Sequence, residues 1–120
     1  MITKTYDLDI VPGRLSPMVR LSQYDERFRV QMRLYAREGD FTIESGTTAQ
    51  IRGRKPNGES YTAPVSLSGN IATINGDGNF TDSAGTGVFE LCLTHNRKEL
   101  YTANFTVEIE PSPAERRAGN

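Results

Sequence analysis

The alternation of apolar and polar residues from Arg27 to Arg37 is the feature that most limits how this chain can fold. Apolar side chains occupy every second position, and arginine fills most of the positions between them. The apolar residues are Phe28, Val30, Met32, Leu34 and Ala36. A period of two over this length predicts a β-strand with one face in a core and the other face outside it.

A turn signal closes the same region of the chain. The sequence Lys55-Pro56-Asn57-Gly58 has a proline that presets the turn and an Asn-Gly pair that accepts positive φ. Together with the alternating strand, this turn indicates an antiparallel β-domain.

Further alternating segments, separated by turn residues, predict six or seven more strands. Their ranges are 5–10, 18 to the polar cluster at 22–25, 47–54, 60–66, 70–74, 87–95 and 99–109. Residues 80–85 are expected to form an irregular or single-turn helical crossover. This pattern predicts an all-β fold, an antiparallel two-sheet sandwich with immunoglobulin-like topology and seven or eight strands. A small barrel is the alternative. The domain is expected to span residues 1–110, followed by a flexible polar tail over residues 111–120.

Size and charge exclude several classes of function. With 120 residues the chain is expected to form one domain. Its net charge of −1 gives no field that would favour nucleic acid or an anionic membrane. No apolar stretch approaches the roughly 18 residues that a membrane span needs. The N-terminus lacks a basic region followed by an apolar run, so we expect no signal peptide and synthesis in the host cytoplasm.

The residues that usually carry catalysis do not form a recognisable set. The single cysteine, Cys92, excludes an internal disulfide, and the apolar run around it predicts that it is buried. The only histidine, His95, is three positions further along the same strand and therefore on the opposite face. No nucleophile elbow or zinc-binding helix motif is present. We expect no enzyme activity and no cofactor.

The polar turn at residues 75–82 is a weak candidate for calcium because Asn and Asp oxygens alternate there. The candidate ligands are Asn75, Asp77 and Asn79. An EF-type loop that began at Asn75 would need Gly at position 80 and Glu at position 86, where this chain has Phe and Thr. A simple turn, built from residues that tolerate left-handed geometry, is the favoured interpretation.

The outward face of the alternating strand is the main candidate for binding. It carries Arg27, Arg29 and Arg33, with Arg52 and Arg54 beside them if those strands pair. Such a face could simply be solvated, where arginine resists edge-to-edge pairing, or it could bind protein. A nucleic-acid surface is disfavoured because aromatic residues are sparse. The candidate partner-binding residues are Tyr24, Asp25, Arg27, Arg29, Arg33, Tyr35 and Lys55.

The order of landmarks along the chain resembles a known family. The landmarks are Ser22-Gln23-Tyr24-Asp25 before the arginine-led strand, Thr48-Ala49-Gln50-Ile51, the Lys55–Gly58 turn, Ala84-Gly85 and Tyr101-Thr102-Ala103-Asn104-Phe105-Thr106-Val107. Over roughly residues 5–110 this order is similar to the N-terminal domain of phage baseplate upper proteins, found in phages and prophages of Gram-positive bacteria. One departure is Asn57, where aspartate is common in the family; both residues suit the turn.

The resemblance implies a small β-sandwich that docks a receptor-binding or fibre assembly onto the tail baseplate, with no catalytic residues. It implies other tail or baseplate proteins as partners, a homo-oligomer in the assembled particle, and a place in the virion. Many members continue into helical, trimer-forming and receptor-binding regions, whereas this chain stops ten residues after Glu110. The alternative function is a carbohydrate-binding sandwich that contacts the host cell envelope. Because the chain has no Trp, its platform would be made of Tyr24, Tyr35, Tyr61 and Tyr101.

Overall fold

The all-β class is confirmed by a computed structural model, which describes residues 2–11, 16–36 and 39–113. These residues form nine strands and no helix. The strands are β1 Ile2–Asp9, β2 Met18–Ser22, β3 Phe28–Ala36, β4 Gly39–Asp40, β5 Thr48–Arg54, β6 Ser60–Ser68, β7 Ile71–Asn75, β8 Gly85–His95 and β9 Lys98–Glu110. Most bounds lie within two residues of the prediction. β1 begins three residues earlier than expected, and the short β4 replaces an expected turn.

The strands form one continuous mixed sheet that is nearly closed into a barrel, so the predicted two-sheet immunoglobulin-like sandwich is wrong. The hydrogen-bonded order is β1-β3-β7-β6-β5-β8-β9-β2, and β4 pairs with β3. β6 joins the two halves of this sheet. Its residues 60–65 pair with β5 and its residues 66–68 pair with β7. Pro64 lies where β6 has only β5 as a ladder neighbour, a place that tolerates a missing N–H donor.

The two ends of this path, β1 and β2, also depart from the antiparallel prediction. β1 pairs in parallel with β3, and β2 pairs in parallel with β9. Side chains of β1 bridge the seam between the two ends. The Arg20 amide donates a hydrogen bond to the Tyr6 hydroxyl at 3.2 Å, and Lys4 Nζ donates to the Arg20 carbonyl. These bonds occupy backbone groups of β2 that would otherwise form an open edge.

One apolar core fills the interior of the sheet. Four of the five inward residues predicted on β3 are confirmed, since Phe28, Val30, Met32 and Leu34 are at most 3% exposed, whereas Ala36 is half-buried. The alternation predicted for β9 is confirmed from Ala103 to Ile109. Tyr101 has the same spacing, two positions before Ala103, but is 42% exposed. It lies at the end of the barrel, where a bulge shifts the register between β8 and β9.

Two turns have the backbone geometry that their residues favour. In the Lys55–Gly58 turn, the Gly58 amide donates to the Lys55 carbonyl at 2.8 Å, and Gly58 has a φ of 90°. The β8–β9 hairpin turns at Asn96 and Arg97, both in the left-handed region with φ of 51° and 64°. Two consecutive positive φ angles match the twist of the strands that this hairpin joins.

Hydrogen bonds of Gln23 fix the chain where it leaves β9. The Gln23 amide donates to the Glu110 carbonyl at 2.8 Å, and the Ser112 amide donates to Gln23 Oε1 at 3.2 Å. Gln23 Nε2 also donates to the Asp82 carbonyl at 3.1 Å. The predicted flexible tail at residues 111–120 falls largely on residues 114–120, outside the described part of the chain.

Candidate docking surface

The arginine-bearing strand β3 lies in the interior of the sheet rather than at an edge. It pairs with β1 on one side and with β7 and β4 on the other. Its arginines are therefore not needed to block edge-to-edge pairing. Arg52 and Arg54 are on β5, which is separated from β3 by β6 and β7, so the strand pairing that would have placed them beside the β3 arginines does not occur.

The outer face of β3 is polar and is arranged in rows across three strands. Arg29 is aligned with Thr3 of β1 and with Asn75 of β7. Two residues along, Gln31 is aligned with a threonine on each neighbouring strand. Cross-strand alignment on one face places these side chains within reach of one another. The result is a polar surface with hydrogen-bonding groups and an arginine near its start.

Arg33 is committed to contacts within the domain. Its Nε donates to Asp7 Oδ1 at 2.8 Å, and its guanidinium carbon lies 5.5 Å from the centre of the Tyr35 ring. The hydrogen bond from Arg33 lowers the pKa of the Asp7 carboxyl, which partial desolvation opposes. Arg33 and Tyr35 thus stabilise the β1–β3 pair, and a partner would have to compete with Asp7 for the guanidinium.

Arg27 and Arg29 differ from Arg33 in this respect. Arg27 is exposed and Arg29 is half-buried on the outer side of the same strand region. Among the residues that the structure describes, neither guanidinium has an ion-pair partner. Unpaired arginines on a polar sheet face are suited to a carboxylate that another molecule supplies, because the planar fork binds it with two hydrogen bonds.

Tyr24 and Asp25 position the connection between β2 and β3. Tyr24 has a φ of 72°, and its amide donates to the Thr81 carbonyl at 3.0 Å. The Thr81 hydroxyl donates to the Asp25 carbonyl at 2.6 Å, and Asp25 Oδ2 accepts from the Ser22 amide at 3.2 Å. Thr81 is fully buried. These contacts give both residues a role in fixing the loop that precedes Arg27.

Lys55 is buried, so it is not part of an exposed face. The residue is 7% exposed, and its Nζ lies 2.7 Å from Asp82 Oδ1 and 3.4 Å from Glu59 Oε1. Burial lowers the pKa of the ammonium, but the contacts with Asp82 and Glu59 outweigh burial and raise the pKa above its ordinary value. The lysine of the turn therefore connects the turn to residues 81–83 through its ion pair with Asp82.

The polar turn proposed as a weak calcium candidate uses its central carboxylate within the chain. Asp77 Oδ1 accepts from the Asn79 amide at 2.9 Å and from the Phe80 amide at 3.1 Å. The Tyr61 hydroxyl donates to the same carboxylate at 3.4 Å. Asn75 ends β7, in register with Arg29 of β3. Within the described residues, no group of three His, Cys, Asp or Glu side chains is placed to hold a metal.

The thiol and the imidazole occupy separate environments. Cys92 is buried as predicted, at 1% exposure, and its burial raises the pKa of the thiol. His95 lies at the end of β8, where Nδ1 is 3.4 Å from the Thr47 hydroxyl and Nε2 is 3.4 Å from Glu44 Oε2. Buried thiols with a raised pKa are poor nucleophiles.

In the described part of the chain, no helix is long and apolar enough to cross a membrane.

A second surface, which sequence reasoning missed, lies at the end of the barrel that carries the β8–β9 hairpin. We call it the apolar end; its residues are Phe41, Ile43, Leu93, Leu100 and Tyr101. The Phe41 and Tyr101 rings meet edge to face, with centres 5.0 Å apart. The adjacent apolar pair Leu100-Tyr101 and the sequence Phe41-Thr42-Ile43 were the available signals. The first lay at the start of the predicted strand 99–109 and the second between the predicted strands 27–37 and 47–54, where alternation carries little information.

Comparison with solved structures finds a similar fold in another protein. The chain is similar to the structure of the N-terminal domain of phage TP901-1 ORF48, with a TM-score of 0.69 and 11% sequence identity. The match covers 92% of this chain and 99% of that one. No protein-family model and no curated protein sequence matches the chain. The likeness confirms, for the fold, the resemblance to a phage N-terminal domain that the sequence landmarks indicated.

Proposed function

We propose that this domain is a structural component of a phage or prophage tail baseplate, where it docks a receptor-binding or fibre assembly. The observation that carries the proposal is the shared fold with the phage ORF48 N-terminal domain over nearly the full length of both chains. The order of sequence landmarks supports the same conclusion independently of the fold. The domain acts by binding other tail proteins rather than by catalysis, as part of a symmetric oligomer in the particle.

The proposed contact is the start of β3, where Arg27 and Arg29 have no ion-pair partner among the described residues. Thr3 and Asn75, aligned with Arg29, add hydrogen-bonding groups to the same surface. An acidic surface on a neighbouring tail protein would complement this region. Arg33 and Tyr35 lie further along the strand as a support that is already paired with β1.

The test is the double charge reversal Arg27→Glu/Arg29→Glu in the phage or prophage that encodes the protein. We expect the variant domain to fold, because both side chains project outward, and to be missing from assembled tails. Lys98→Glu, a charge reversal at an exposed residue of β9, is the matched control and should assemble normally. Normal incorporation of the double variant would contradict the proposed face.

The alternative function, a carbohydrate-binding module, receives no specific support from the tyrosines. Tyr61 packs against Phe80 and Phe89, with ring centres 5.1 and 6.2 Å apart. Tyr101 contacts Phe41 at the apolar end of the barrel. These rings pack against different neighbours at separate places in the sheet, not side by side as a flat platform. Binding of the isolated domain to a glycan array would nevertheless favour this alternative over docking.

A further inference from the structure

The apolar end of the barrel holds a small cavity that is lined mainly by apolar side chains. Its volume is about 80 Å³, and its walls come from the 41–47 segment and from the β8–β9 hairpin. Phe41, Ile43, Leu93, Leu100 and Tyr101 supply apolar surface, while Thr42, Glu44 and Thr47 supply polar groups. A concave apolar site with a few polar groups at its rim is the usual form of a binding pocket.

Two of the apolar wall residues are open to solvent. Leu100 is 46% exposed and Tyr101 is 42% exposed. In the β8–β9 ladder Leu93 is aligned with Tyr101 and Thr94 with Glu99, so Leu100 is the extra residue of a bulge. A bulge re-aims a side chain and interrupts pairing, and bulges concentrate next to functional sites. Here the bulge places a leucine at the rim of the cavity rather than in the sheet.

The size of the cavity restricts what can enter it. A cavity of about 150 Å³ lined by apolar side chains accepts a benzene molecule. At about 80 Å³, roughly half that volume, this cavity suits a branched aliphatic side chain better than an aromatic ring. The ligand group that matches its volume and lining is therefore the side chain of leucine, isoleucine or valine.

The charge at the rim of the cavity restricts which residues can flank the inserted aliphatic side chain in the partner's sequence. The Glu44 side chain is 71% exposed, and its ion-pair partner is His95 Nε2 at 3.4 Å, which is charged only when protonated. Glu99, near the start of β9, is already bound by Arg52 at 2.8 Å. Arg97 and Lys98 lie at the hairpin turn and do not line the cavity. Among the described residues, the rim thus carries one carboxylate, that of Glu44, which a cation would complement.

We propose that the apolar end binds a segment of a partner protein that inserts one branched aliphatic side chain and carries a lysine or arginine beside it. The aliphatic side chain fills the cavity between Ile43 and Leu100, and the cation meets the Glu44 carboxylate. This site is separate from the arginine face of β3, and its test does not depend on phage assembly.

The experiment is a titration of the isotope-labelled domain, followed by amide NMR, with three blocked pentapeptides: Gly-Lys-Leu-Lys-Gly, Gly-Lys-Ala-Lys-Gly and Gly-Glu-Leu-Glu-Gly. We expect the first to shift amides of residues 41–47 and 93–101, with a Kd in about the millimolar range. Replacing its leucine by alanine should weaken binding by about tenfold or more. The acidic peptide should bind more weakly than the basic one by about two- to fivefold.

Two variants assign the effect to this site. Leu100→Ser should abolish binding, whereas Val88→Ser, at an apolar residue that is 58% exposed elsewhere on β8, should leave it unchanged. Glu44→Gln should remove the preference for the basic peptide. The proposal is overturned if no peptide shifts these amides at about 10 mM, or if the acidic peptide binds as well as the basic one. Self-association that Leu100→Ser abolishes would also overturn it, because the occupant would then be a second copy of the chain.

Discussion

Replacing Asp82 by asparagine tests whether a buried lysine holds one end of this barrel together. The Lys55 side chain is 6% exposed, and its Nζ lies 2.7 Å from Asp82 Oδ1. A second carboxylate, Glu59, is 3.4 Å away and much more exposed. Asp82→Asn would leave the ammonium buried with only this weaker partner, so we expect a clear loss of folding free energy.

The magnitude follows from the exposure of the three groups. Breaking a fully buried ion pair by removing one partner costs about 3–5 kcal/mol, because an uncompensated charge remains. Asp82 is 43% exposed and Glu59 stays in place, so we expect about 1.5–2.5 kcal/mol for Asp82→Asn. Lys55→Met removes the charge but keeps the apolar stem, and should cost only about 0.5–1 kcal/mol.

Urea denaturation followed by far-ultraviolet circular dichroism is a suitable assay, since the chain has no Trp. The double variant Lys55→Met/Asp82→Asn should be no less stable than Asp82→Asn alone, which gives a coupling of at least about 0.5–1 kcal/mol between the two positions. Glu59→Gln is the matched control and should cost less than about 0.5 kcal/mol. Additive costs in the double variant, or a larger cost for Lys55→Met than for Asp82→Asn, would refute the reasoning.

Three further predictions concern the backbone and the response to pH. Gly53→Ala should destabilise the fold by more than about 3 kcal/mol, because the added Cβ would lie 2.2 Å from the Val88 carbonyl oxygen. Gly39→Ala, with nothing within 4 Å, is its control, and similar melting temperatures for the two variants would contradict this prediction. Arg97→Gly should stabilise the hairpin by about 0.5–1 kcal/mol, since the native φ of 64° suits glycine; a lower urea midpoint would count against it. Burial, and then a neighbouring carboxylate, raises the pKa of Tyr61 to about 12 from an ordinary value near 10. The stability that this shift provides is present below pH 10 and is lost as the pH rises toward 12, so Tyr61→Phe should flatten the alkaline limb of the stability curve.

The existence and inward faces of the strands could be predicted from the sequence because they depend on local alternation. Phe28, Val30, Met32 and Leu34 all lie in the core, as a period of two requires. Alternation does not state which strands are neighbours, and the predicted two-sheet antiparallel arrangement was accordingly wrong. Arg52 would lie beside the β3 arginines only if those strands paired, and two strands separate them. Pro64 was the available signal that β6 has a free side over part of its length.

The candidate site was predicted less well, for a related reason. A charged residue next to a turn is usually solvated, and Lys55 was therefore expected at the surface. Its burial depends on Asp82, which is 27 positions away in the sequence and is brought close only by the crossover before β8. Likewise, the assignment of Arg33 to a docking face did not take its contact with Asp7 into account. These two residues are aligned only by the parallel pairing of β1 with β3.

The two ends of the barrel differ in the contacts that hold them, and this difference suggests a division of roles. At the end where the chain leaves β9, Gln23 bonds to Glu110, Ser112 and Asp82, and the Lys55 ammonium is ion-paired. Such an end is fixed before any partner arrives. The apolar end instead leaves Leu100 half exposed beside a bulge. Covering apolar surface with another molecule is favourable, so Leu100 and Tyr101 beside the cavity would contribute to binding at this end.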